Sequence, residues 1–249
     1  MKSFLTFTLF APIASFGAIA VGERRESWSR PARSAVLGLV GACLGIERED
    51  AEEQAALERE FGFALLCGTS GGSLADFHTL QVGRPARGQT FRTRAEELNS
   101  NTVDTILTRR DYRVSAWHLA ALWVRSEVDP RWALEDLADA MKQPAFTPYL
   151  GRLACPLGLP LAPQIIDADS PASALDRRWA SGPEAEFRPS LAGTIQDLFV
   201  ARDRWVGDEG ANNLLRSEER RDAPISRTLW QFGLRTEVIE AFSPTENRS

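Results

Sequence analysis

The stretch RPARSAVLGLVGACLGIER, residues 30–48, decides the reading of the fold. Pro31 suits a first helical turn and Gly45 a left-handed stop. Between them Val36, Leu37, Val40, Cys43 and Leu44 recur at spacings of three and four, the apolar stripe of a helix on a core. Gly38 and Gly41 lie along that helix, with Ala35 and Ala42 nearby. A glycine inside a helix costs about 0.5–1 kcal/mol relative to alanine, so two of them imply close approach of another backbone or of a ligand. Arg30 and Arg33 stand at the amino end, where the helix dipole favours anions. Two readings follow: a small-residue helix on a sheet with two solvated arginines, or a helix end whose amides and arginines hold a phosphate.

Working outward, Leu5 to Phe10 alternates apolar residues with Thr6 and Thr8, which reads as a first strand and not as a secretory signal. Residues 22–30 form a polar loop carrying Arg24, Arg25 and Trp28. Asp50 to Glu60 predicts a second helix with acids at its start. Phe61 to Cys67 predicts a strand, 69–73 a turn, and Leu74 to Val82 the returning partner of that strand. From Gly83 to Asp104 periodicity is lost. Between Arg84 and Arg113 seven arginines face four acids, a local charge of +3 in a chain of net charge -5. Such an arm, with Phe91 on it, suits a nucleic-acid backbone or is a solvated loop. Val114 to Arg125 reads as a buried central strand. Asp129 and Pro130 cap a helix with Leu134, Leu137, Ala138 and Met141 inward, ending before Pro144. A proline-rich crossing, a short helix at 174–179, a strand at 194–202, a polar connection at 207–223 and a last strand at 235–242 complete the chain.

The 249 residues, 43% hydrophobic and 25% charged, are those of a globular chain. Net charge -5 argues against a general polyanion binder, so any RNA site must be local. Only Lys2 and Lys142 are lysines. The arginine bias suits phosphate recognition, and equally a GC-rich genome. Cys43, Cys67 and Cys155 have neither zinc nor disulfide spacing, which points to a reducing cytoplasm, and no stretch has membrane-spanning length. The glycines at 68–73 lack the following Lys-Ser/Thr of a phosphate loop, and neither a nucleophile elbow nor a zinc helix is present. His118 lies in the apolar run and reads as a core histidine. His78, near Asp76, is either a base or a hydrogen-bonding group at a hairpin. Neither a cofactor nor a metal site is expected.

Five stretches resemble the CasD family, the fifth CRISPR-associated family in its type I-E form. They are SFG at 15–17, RPARSAVLGLVGACLGIERED at 30–50, DFHT at 76–79, RRDY at 109–112 and FTPYLGRLACPLGLPL at 146–161, with a looser SRTLW at 226–230. Phe16 stands where the family commonly has tryptophan, Phe77 replaces a usual tyrosine, Ser115 a frequent aspartate, and Leu153 with Ala154 a more polar pair. The order strand, helix, paired strands, long strand and helix suggests an α+β fold, a ferredoxin-like core with a β-rich C-terminal extension. The resemblance implies a modified ferredoxin-like (RNA-recognition-type) core with an extended thumb. The core and thumb would occupy residues 1–166, with the thumb at about 83–104, and the extension residues 167–249.

It further implies a cytoplasmic, non-catalytic subunit of the Cascade surveillance complex in antiviral defence. That subunit holds the 5′ handle of CRISPR RNA and caps a CasC-type backbone beside a CasA-type large subunit. The residues expected at the RNA are Arg24, Arg25, Arg30 and Arg33 on phosphates, Arg84, Arg87, Phe91, Arg92 and Arg94 along the thumb, and Arg109, Arg110 and Tyr112 at its base, with His78 and Arg152. The rival reading is a metal-independent endoribonuclease, for which His78, Tyr112, Lys2 and Lys142 are the available acids and bases. A third is a structural protein that never touches RNA.

Overall fold

The computed structural model of the chain describes residues 1–17, 22–85, 87–88, 90–100, 102–125, 129–187, 198–205, 214–227, 229 and 231–245. The elements in order are β1 (Lys2–Ala14), β2 (Arg24–Arg25), α1 (Arg33–Leu44), α2 (Ala51–Glu60), β3 (Phe61–Thr69), β4 (Gly72–Gly83), α3 (Arg94–Leu98), β5 (Val103–Val124), α4 (Leu134–Lys142), β6 (Gln164–Ala168), α5 (Pro171–Ser181), a 3-10 turn at Pro183–Glu186, β7 (Phe199–Arg202), β8 (Leu214–Ser226) and β9 (Gln231–Ala241). The nine strands make one sheet in the order β6-β1-β5-β3-β7-β9-β8, with β2 and β4 both on β5. Every pairing is antiparallel except β2 with β5.

The alternation along β1 explains why this sheet is covered on both sides. Leu5, Phe7, Leu9 and Ala11 join Val36, Leu37 and Val40 of α1 and Leu137 and Met141 of α4 in one core. Phe4 faces the other way, with Trp117, Leu119 and Trp123 of β5, under Ala174 and Leu175 of α5. Thr6 and Thr8 share that second face. The Thr6 hydroxyl donates to the Gln164 carbonyl, and Thr8 bonds to a buried Arg178–Glu184 pair.

β5 is the spine. Its second half lies between β1 and β3 in the core, whereas its first half leaves the body paired to β4. The switch occurs where Gly71 (φ 68°) and Ser115 (φ 59°) both adopt left-handed backbone. A methyl group on Gly71 would overlap the Val114 carbonyl, so the crossing needs glycine there.

Several expectations are corrected. β4 does not pair with β3: β3 is buried along its whole length between β5 and β7, so β4 follows β5 outward instead. The ribbon of β4 and the first half of β5 thus begins at residue 72, and its tip carries α3. Pro31 precedes the first turn of α1, whose first residue is Arg33. That helix stops at Gly45 (φ 80°) as expected. Asp129 and Pro130 likewise lie before the true cap, Ala133, whose amide donates to Asp136 at 2.9 Å. Residues 214–223, expected as a connection, belong to β8, because its buried side chains, Arg220 and Asp222, are charged and erase the apolar period. The strand expected at 194–202 is seen as β7, its first residues 194–197 lying outside the described ones, as do Thr228 and Trp230 of SRTLW. Residue 166 lies within β6, and β7, β9 and β8 join the sheet through β3.

Candidate nucleic-acid interface

At the root of the arm, β2 pairs with β5 so that Arg24 opposes Arg109 and Arg25 opposes Arg110. Directly opposed residues share a face, so the basic pairs project to the two sides of the ribbon. On one side Asp111 collects cations. Arg24 donates to its Oδ2 at 3.0 Å and Arg109 to its Oδ1 at 2.8 Å, while Arg109 also stacks on the Phe77 ring at 5.5 Å. Arg109 foremost, then Arg24, holds the Asp111 carboxyl below its usual range against the opposing effect of burial.

On the other side Arg110 is exposed, with no side-chain partner among the described residues. Arg25 bonds only to backbone carbonyls, Gly22 at 2.6 Å and Arg24 at 3.4 Å. The Arg152 guanidinium lies over the Tyr112 ring at 4.5 Å and donates to the carbonyls of Asp111 and Arg25. His78 stands further out with Nδ1 3.2 Å from Asp76 Oδ2. Near the tip Arg84 pairs with Asp104 and Arg94 with Glu97, whereas Arg87 and Arg92 are exposed and Phe91 is half-buried. The structure therefore gathers Arg24, Arg25, Arg109, Arg110, Tyr112 and Arg152, and places Arg84, Arg87, Phe91, Arg92 and Arg94 at the far end of the same arm.

Arg30 and Arg33 are elsewhere, and neither presents a free cation. Arg33 is buried. Its Nε meets Asp203 at 3.2 Å, its Nη1 pairs with Glu58, and its Nη2 donates to the Glu58 and Phe61 carbonyls at 2.7 and 2.8 Å. Arg30 pairs with Glu237 and with Glu218 and lies over the Phe199 ring. The anion at the amino end of α1 is also internal: the Arg33 amide donates to Asp222 Oδ2 at 3.0 Å. The phosphate site expected there is thus filled by a carboxylate of β8. Nor does another backbone approach the two glycines of α1. The atom nearest a methyl on Gly38 would be Nη1 of Arg227 at 3.5 Å, and for Gly41 Cδ1 of Leu57 at 3.4 Å.

Beside the arm root lies a cavity of about 1230 Å³ between α1 and the C-terminal hairpin. Trp28, Tyr149 and Phe232 line it with Arg48 and Arg221, and the small side of α1, Ala35, Gly38 and Ala42, is its floor. It adjoins the arginine cluster twice, because Gly151 of its wall precedes Arg152, and Arg113 Nε donates to the Trp28 carbonyl at 3.1 Å. Sequence reading missed this cavity. The signal was there: Gly17, Gly38 and Tyr149 come from three separate motifs, and only folding brings them to one wall.

Three comparisons bear on this arrangement. Residues 4–237 match the family described as CRISPR-associated protein (Cas_Cas5). The chain is 32% identical over 211 residues to the CRISPR system Cascade subunit CasD of Escherichia coli (strain K12), covering 82% of this chain and 88% of that one. In fold it resembles a chain of a CRISPR RNA-guided surveillance complex, at TM-score 0.57 and 22% identity over 98% of this chain and 90% of the other. It also resembles a Cas protein crystal structure, at TM-score 0.53 and 20% identity over 97% and 100%. The motif-bearing cavity and the arginine arm thus sit on a scaffold that the family model matches over residues 4–237, and the chain belongs to the CRISPR-associated Cas5 family.

Proposed function

We propose that the chain is a non-catalytic, RNA-binding subunit of a Cascade-type complex that holds the 5′ handle of CRISPR RNA, with CasC-type and CasA-type subunits as its neighbours. The observation that carries this reading is the convergence of Arg24, Arg25, Arg109, Arg110 and Arg152 at one end of the motif-lined cavity. A single-stranded RNA end needs cations for its phosphates and aromatic faces for its bases. The arm root offers the first, and Tyr112, Tyr149 and Trp28 offer the second. A ferredoxin-like core is supported by the antiparallel order β6-β1-β5-β3, with α1 and α2 joining β1 to β3 and α4 joining β5 to β6. In chain order this is β-α-β-β-α-β.

A nuclease reading finds less support. Lys2 lies over Trp205 on the first strand and Lys142 pairs with Asp139 at the end of α4, so neither joins His78 on the arm. General acid-base cleavage needs its groups within hydrogen-bond reach of one substrate.

Arg25 and Arg110 give the cleanest test, since neither is paired to a carboxylate. Replacing both with alanine should reduce the slope of log affinity against log salt for handle RNA by about 1.4, at about 0.7 for each single-strand phosphate released. An unaltered slope removes them from the RNA path. Arg30 and Arg33 are not expected to contribute to that slope, because their charges are already neutralised.

A further inference from the structure

The arm leaves one strand edge open. Among the described residues β4 pairs with no strand but β5, in unbroken register from Gly72 opposite Val114 to Gly83 opposite Val103. Three contacts give the orientation of its backbone. From outside the hairpin, the Arg94 guanidinium donates to the Gln81 carbonyl, and Glu97 accepts from the Gly83 amide at 3.1 Å. Opposite Phe77, the Arg109 amide points away from β4 and donates to the Glu23 carbonyl at 3.1 Å. The odd-numbered residues of β4 therefore turn N–H and C=O outward, and the even-numbered ones bond to β5. Gln81 and Gly83 are occupied by α3. Ser73, Ala75, Phe77 and Thr79 face no strand among the described residues.

Between residues 73 and 79 this edge lacks most of the usual protections. The other long edge, β8, has three register breaks, Pro224 and a run of charges. β4 between residues 72 and 80 has no break, no proline and only Asp76 and His78 as charged or titratable groups. Its Leu74, Phe77 and Leu80 are 41%, 59% and 48% exposed. An unbroken apolar edge of this kind is a template for another strand.

We propose that the β4 edge pairs with the same edge of a second copy of this chain, antiparallel and centred on Phe77. That register sets Phe77 against itself, Ala75 against Thr79, Asp76 against His78 and Leu74 against Leu80. The outward amides and carbonyls of residues 75, 77 and 79 then meet each other, and the even-numbered residues place one carboxylate–imidazole and one Leu–Leu contact on each side of the axis. Sliding one copy by two residues moves the axis to Asp76 or to His78 and loses this pairing: the first sets the two Asp76 carboxylates against each other, and the second sets Asp76 against Leu80. Self-complementarity of this sort is what a two-fold dimer requires. The contact is short, below about 1,000 Å², so the dimer is weak and concentration-dependent.

The test uses the full chain, free of RNA, in sedimentation equilibrium over a wide concentration series. The mass should rise from monomer towards dimer, and Ala75→Pro, which removes one outward N–H but no bond to β5, should hold it at monomer. A register readout guards against misfolding of that variant. Asp76→Cys chain mixed with His78→Cys chain should form an interchain disulfide on mild oxidation, while either alone should not, the native cysteines being buried. A chain monomeric throughout, a dimer indifferent to Ala75→Pro, or crosslinking of Asp76→Cys alone as efficient as the mixture overturns the proposal. So does a different protein found on this edge while the free chain stays monomeric.

Discussion

His118 shows how little a residue's chemistry follows from its type. It opposes Cys67 in the middle of the sheet, fully buried, with Phe16 edge-on to its ring at 5.6 Å and no hydrogen-bond partner on either nitrogen. Burial, and then the nearby Arg30 and Arg220, lower its pKa to about 3. The same burial pushes the Cys67 thiol up to about 12, so neither group is reactive near neutral pH. The folded value of His118 lies below the unfolded value of about 6.5, so the unfolded chain takes up the proton first. Stability is therefore lost as pH falls from about 6.5 towards 3, at up to about 1.4 kcal/mol per pH unit. His118→Phe, which keeps the ring contact with Phe16, should remove that component. Urea unfolding at pH 7 and pH 5 checks it: parallel losses in both proteins would show that His118 is not the group responsible.

At the scale of elements, α1 and the arm had opposite fates. The apolar stripe of α1 packs as its spacing dictates, with Val36, Leu37, Val40 and Cys43 buried. Its amino end holds the Asp222 carboxylate, because a helix dipole asks for an anion without saying whether a ligand or the chain itself supplies it. The arm is a two-stranded ribbon beyond the reach of β1 and β3, and such ribbons are marginal by themselves. Its outward amides at Ala75, Phe77 and Thr79 should exchange with solvent far faster than those of β3, which is buried throughout. Hydrogen exchange of the free chain, diluted until it is monomeric, reads this directly, and equal protection of β3 and β4 would mean that the arm is docked.

Across the whole molecule, ion pairs fasten the C-terminal hairpin to the core. Asp203, Asp222 and Glu237 are buried among Arg33, Arg125, Arg220 and Arg235, and Arg235 alone contacts all three acids. Arg227 ties the same hairpin to Glu58 and to the Ser34 carbonyl. Burial raises the pKa of Glu58 despite Arg33 and Arg227 beside it, a sign of how dry this layer is. Removing Arg33 takes one cation from a layer in which Asp203 stays buried and Glu58 partly buried, and it leaves the Glu58 and Phe61 carbonyls without their donor. Arg33→Ala should accordingly cost about 3–5 kcal/mol of stability. A Tm unchanged from wild type would show the network to be dispensable. That cost makes Arg33→Ala a poor probe of RNA binding and favours Arg25 and Arg110 for that purpose.

Local sequence determined much of this protein by itself. Alternation specified β1, three-and-four spacing specified α1 and α4, and the run of arginines marked the arm. Motifs with fixed spacing carried the family. Those signals are local, since each depends on which side of a single helix or strand a residue faces. Tertiary structure alone decided which arginines are available. Arg25 and Arg33 are the same side chain near the same motif, but Asp203 and Glu58 close on one and no carboxylate reaches the other. Strand partnership was likewise decided only in three dimensions: β3 had its second edge taken by β7, more than 130 residues further on, and that contact sent β4 outward to form the arm.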